Sequence, residues 1–157
     1  MRILWIVLVG LLGVEQESAG SSATPPYAPT EVTIRGKALT LEAAIAACGL
    51  SVQADPEQAG RQVVIVNEQG TMIPLLADVA SRALFLDDRL RNRPLELKGR
   101  EYRGLPFIQV VSFRVEHDGE FRTPEYYCNI CTISVRYPQI CPCCQGPMEL
   151  RMKPRTP

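Results

Sequence analysis

Two C-x2-C pairs near the C-terminus, Cys128 with Cys131 and Cys141 with Cys144, constrain this chain more than any other feature. Two residues between cysteines let both thiols point to one side of a tight turn. Two such turns facing each other set four sulfurs at the corners of a tetrahedron, about 2.3 Å from a central zinc ion. The nine-residue spacer, TISVRYPQI, has strand-forming residues on both sides of Arg136-Tyr137-Pro138. A short hairpin there is expected to bring the two turns together. Pro142 stiffens the second turn, and Gly146 permits close backbone approach or positive φ after it.

Three chemistries suit this ligand set. A structural zinc is the first reading, because four thiolates fill its coordination sphere. Iron is the second, since four thiolates accept either metal. Disulfides are the third, if the chain works in an oxidising compartment. Cys143, a fifth thiol beside the cluster, reads as a bystander. A Cys143–Cys144 bridge would be strained, because the two residues are neighbours.

The segment YYCNICTISVRYPQICPCCQGPMEL resembles zinc-ribbon and rubredoxin-like modules. Their second turn commonly reads C-P-x-C with Gly close behind, matched by Cys141, Pro142, Cys143, Cys144 and Gly146. The spacer is short for such modules, and Thr132 stands where Gly is frequent. The resemblance implies a ribbon over residues 125–150, holding zinc or iron through Cys128, Cys131, Cys141 and Cys144, with a basic tail at 151–157.

The other end of the chain reads as an export signal. Met1-Arg2 gives a positive start, ILWIVLVGLLGV an apolar run, and EQESAGSSAT a polar, small-residue region. The run is about 12 residues, short of the roughly 20 that span a bilayer. Ser21 and Ala23 suit cleavage after Ala23, giving a signal over 1–23. Ser, Ala and Pro then make residues 24–30 a tether. An uncleaved signal is the one expected route to a membrane.

The middle, residues 31–124, alternates strands and helices. Val32, Ile34, Gly36 and Ala38 share one strand face, and Gly36 permits a bend. Thr40 caps a short helix that Gly49 stops, and Cys48 falls on its apolar face as a small buried hydrophobe. QVVIVN and TMIPLL form a hairpin through Asn67-Glu68-Gln69-Gly70. A helix is expected over 78–90, with Asp78 as N-cap and Val79, Ala83, Leu86 and Leu90 on its buried stripe. LELKGREY and FIQVVSFRV are the last strands. The second is apolar on both faces, as in a central or closed sheet. A helix between the third and fourth of five strands is OB-fold order. EVTIRGKAL and PLELKGREYRGLPFIQVVSF also resemble OB-fold proteins over about residues 31–116. The expected fold is therefore mainly β with short helices: an OB-like five-stranded barrel followed by a small zinc ribbon.

Charge narrows the function. Lys+Arg and Asp+Glu both number 17, so net charge is zero. Nucleic-acid binders draw most of their affinity from basic excess, which is missing here along with aromatic stacking platforms. Catalytic signals are equally thin. Asp87 and Asp88 end a helix and should point to different sides and to water. The one histidine, His117, flanks the Asp118-Gly119 turn, a poor place for a preorganised base. The sequence therefore points to an exported, non-enzymatic binding or assembly protein with an unidentified protein or small-ligand partner. Electron transfer or thiol redox chemistry at the same cysteines is the first alternative, and a nucleic-acid-binding barrel with a ribbon is the second.

Overall fold

A computed structural model describes residues 28–153. The signal, most of the tether and the last four residues lie outside the described part. Among the described residues, no helix is long and apolar enough to cross a membrane.

The fold is mainly β with a few short helices. β1 (Thr30–Thr40) runs straight into α1 (Leu41–Ala47), then come α2 (Pro56–Arg61), β2 (Val63–Asn67) and β3 (Met72–Pro74). α3 (Arg82–Leu86) and a 3-10 turn (Asp88–Leu90) precede β4 (Pro94–Glu101), β5 (Gln109–His117) and β6 (Glu120–Arg122). β7 (Pro124–Tyr127), β8 (Ser134–Val135) and β9 (Glu149–Met152) complete the described residues. The first six strands make one sheet, ordered β3-β2-β1-β4-β5-β6, and the last three a second, ordered β8-β7-β9.

β1 organises the larger sheet by serving two partners. Residues 30–37 pair with β4 and residues 36–40 with β2. The bend expected at Gly36 falls where the two pairings overlap. A Cβ there would lie 2.2 Å from the Val66 carbonyl oxygen, so only glycine fits so close to β2. Thr40 caps α1 as expected, its hydroxyl accepting from the Ala43 N–H at 3.2 Å.

The closed five-stranded barrel is not what forms. The sheet has six strands and is open. Among the described residues, the segment just after β3 meets the one just before β5 at a single parallel bridge between Leu75 and Ile108. Ile108 N–H donates to the Pro74 carbonyl and Leu76 N–H to that of Ile108, each at 2.9 Å. The contact goes no further because the chain turns away at once. Ser81 Oγ donates to the Leu76 carbonyl at 2.7 Å, and Asp78 Oδ1 accepts from the Ala80 and Ser81 N–H groups.

Two other expectations are corrected. The doubly apolar face of β5 does not signal burial on both sides. The register against β4 shifts between Lys98 and Gly99, leaving Val111 without a partner. This bulge changes the parity of the strand. Ile108 and Val110 before it, and Phe113 and Val115 after it, therefore all reach the same core, while Val111 is exposed.

The helix over 78–90 is likewise broken. Asp78 caps a turn rather than a long helix, α3 lasts five residues, and Asp87 adopts extended backbone (φ −121°, ψ 109°). Val79 and Leu86, expected on the buried stripe, are exposed. Ala83 and Leu90 reach the core as expected, and Leu84 joins them there.

One core joins the two sheets. Ile65, Leu95, Leu97 and Val115 fill it from the first sheet, Leu75 from the segment after β3 and Leu84 from α3, and Tyr126 on β7 enters it from the second sheet. Val135, Met148, Leu150 and Met152 pack on from the cysteine-bearing region.

Candidate metal centre

The four predicted cysteines converge. The sulfurs of Cys128, Cys131, Cys141 and Cys144 all lie within 4.8 Å of one another. Cys128 and Cys141 are buried; Cys131 and Cys144 sit at the rim, and Cys143 is exposed.

Main-chain hydrogen bonds build both turns to the same plan. In the first, Thr132 N–H donates to the Cys128 carbonyl and Cys128 N–H to that of Ile133, both at 2.9 Å. In the second, Gln145 N–H donates to the Cys141 carbonyl at 3.0 Å and Cys141 N–H to that of Gly146 at 2.9 Å. The residue after each second cysteine is left-handed, Thr132 at φ 56° and Gln145 at φ 61°. Positive φ thus falls on Gln145, one place before the Gly146 expected to permit it. Gly146 serves close approach: a Cβ there would sit 3.4 Å from Cys144 Sγ.

The spacer does not make its own hairpin. β7 is the central strand, flanked by β8 from the spacer and β9 from beyond the second turn. The first turn thus leaves β7 directly, and the second leads into β9, which pairs with β7. Arg151 on β9 donates to Asn129 in the first turn and lies over the Tyr127 ring at 4.1 Å.

The polar environment suits a cation. Cys131 N–H points at Cys128 Sγ across 3.4 Å, and the Cys128 and Cys144 sulfurs are 3.5 Å apart. Hydrogen bonds from the backbone of Cys144, and then of Cys143, pull the Cys141 thiol down to about 7. Contact with the Cys143 and Cys144 thiols pushes Cys131 up. Four thiolates this close repel one another, and a divalent cation at their centre cancels that repulsion. The donor set fits a tetrahedral thiophilic metal.

A buried polar contact, missed in the sequence, ties this region to the larger sheet. Tyr126 Oη donates to Asp87 Oδ2 at 2.5 Å, and Arg89 grips the same carboxylate through Nε at 2.9 Å and Nη2 at 2.7 Å. Asp87 therefore turns inward while Asp88 faces water, correcting the expectation that both are solvated. Burial raises the Asp87 carboxyl, but hydrogen bonds from Arg89 and Tyr126 outweigh it and the net direction is down. Burial, then the bond to Asp87, pushes the Tyr126 phenol well above its ordinary value. Arg82 of α3 adds a cation–π contact, 4.7 Å above the Tyr137 ring.

The remaining singled-out residues lie apart from this centre. Cys48 caps α1 half-buried and lines a groove of about 640 Å3 with Leu39, Val66, Leu95 and Phe121. His117 ends β5, its Nε2 3.3 Å from Asp118 Oδ2. Comparison of the chain with protein-family models, curated proteins and solved structures gives no match.

Proposed function

We propose that the chain is a non-enzymatic binding or assembly protein whose C-terminal ribbon is folded by one structural zinc ion. The observation that carries this reading is the convergence of four thiols on turns with matching main-chain hydrogen bonds. A four-thiolate zinc has no open position at which to activate water, so its contribution is to stability. The ribbon sheet is three short strands, too little to build a core unaided, and a metal supplies what burial does not.

The larger sheet would act as the binding body, as a barrel-like derivative of the OB-fold. Its strand order and the Leu75–Ile108 bridge support that kinship. Its open groove beside α1 has the volume of a small-ligand site. The apolar run at residues 3–14 favours work outside the cytoplasm.

Elemental analysis of the purified chain, with thiol counting before and after chelation, tests the reading. One zinc per chain is expected, with four thiols becoming reactive on chelation. A red, iron-loaded protein that cycles between oxidation states would replace this reading with electron transfer. Two disulfides and no metal would refute both.

A further inference from the structure

We propose that Cys143 is an oxidation site that releases the metal by forming a disulfide with Cys131. This rests on the metal reading above and assigns that centre a response to peroxide. The two turns correspond position by position, which places Cys143 where the first turn has Ile130. Both are exposed and neither is among the four converging sulfurs. Cys143 is thus a spare thiol held open to solvent at the edge of the cluster.

Burial and covalent geometry select its partner. Cys128 and Cys141 are sealed from solvent, with 1% and 0% of their surface accessible. Cys131 and Cys144 are the two ligands at the rim. A bridge to Cys144 would join adjacent residues and carry strain. Cys131 belongs to the opposite turn and is free of that constraint, and its sulfur lies within 4.8 Å of those of Cys141 and Cys144, between which Cys143 sits in the chain.

The chemistry is a two-electron oxidation. The Cys143 sulfur attacks a peroxide oxygen, the O–O bond breaks, and Cys143 becomes a sulfenic acid as one water leaves. The Cys131 sulfur then attacks the Cys143 sulfur, the S–O bond breaks, and hydroxide leaves to take up a proton as a second water. Two thiols are oxidised and one hydrogen peroxide is reduced. Cys131 can no longer serve as a thiolate ligand, so the metal keeps three and is lost to a competing chelator.

The test uses the full chain carrying Cys48→Ser, loaded with zinc, in the presence of a chromogenic zinc chelator. Hydrogen peroxide should release one zinc per chain, and peptide mapping should find a Cys131–Cys143 bridge. Cys143→Ser and Cys143→Ala should each retain one zinc and release it at least about tenfold more slowly. Dithiothreitol with added zinc should restore the metal in the unsubstituted chain. Equal release rates in the Cys143 variants would overturn the proposal, as would a bridge between Cys128 and Cys144. If the purified chain binds no zinc, the metal reading fails by itself. Peroxide mapping of the metal-free chain then decides the pairing: a Cys131–Cys143 bridge supports it, and any other pair sinks it.

Discussion

The two sheets solve the same problem by different means. The larger sheet encloses fully buried aliphatic side chains, among them Ile65, Leu75, Leu84, Leu95, Leu97 and Val115. Each such side chain contributes about 1.5–3 kcal/mol through burial. The smaller sheet offers Tyr126 and two cysteines as its fully buried residues, while Ile130 and Ile140 face solvent. Burial dominates the first region, whereas the second has little of it and, on the metal reading proposed above, relies on a few directed bonds.

Removing the metal should divide the regions most sharply. Chelation is expected to abolish hydrogen-exchange protection in β7, β8 and β9 and leave it in β1, β2 and β4. Cys141→Ser should do the same and weaken metal binding beyond the roughly 10–100-fold lost when an outer-shell partner is removed. Loss of protection in both sheets together would erase the distinction and make the molecule one cooperative unit.

Next in size is the contact that joins the regions. Asp87→Ala leaves the Tyr126 hydroxyl buried without an acceptor and is expected to cost about 2–4 kcal/mol in denaturant unfolding. Arg89 is largely exposed, so its part in that loss is small. Tyr126→Phe should cost less, and the double substitution less than the sum. Additive effects would mean that the two side chains act independently.

Gly36→Ala probes the larger sheet alone. The clash with β2 should cost about 1–3 kcal/mol while metal stoichiometry stays the same. A fall in bound metal would show that strain in β1 reaches the cysteines.

How much of this was legible follows the range of the interactions. The paired C-x2-C spacing, the Thr40 cap and the Gly36 bend are local, and each falls in the structure where residue chemistry puts it. α2 was also legible but overlooked: Asp55 caps it through the Gln58 N–H, and Pro56 occupies its first turn. The inward turn of Asp87 was not legible, because its buried partner Tyr126 lies 39 residues away. Nor was the bulge at Val111, which exists only in the register between β4 and β5.

The smallest expected effect is a pH dependence confined to the larger sheet. Glu96 is buried between Arg114 at 2.5 Å and Arg35 at 3.0 Å. Its bond to Arg114, then that to Arg35, outweighs burial and holds it below 4.5. A lowered folded value means the contribution is complete above 4.5 and lost as pH falls through that lower value. Both arginines are substantially exposed, which keeps the effect below about 1 kcal/mol. Metal-free Glu96→Gln protein should therefore lose less stability below pH 4.5 than the metal-free parent. Identical acid limbs would remove Glu96 from the account.

The hydrogen bonds that shape the two cysteine turns are almost wholly main-chain. Ile130 and Ile140 project outward from a frame whose hydrogen bonds do not involve their side chains. Over a lineage, these positions are free to drift, and a saturation library should tolerate most residues there while rejecting nearly all at the four ligands. The module thus separates what must be inherited unchanged from what selection can rewrite, and new recognition can evolve on its rim without refolding its centre.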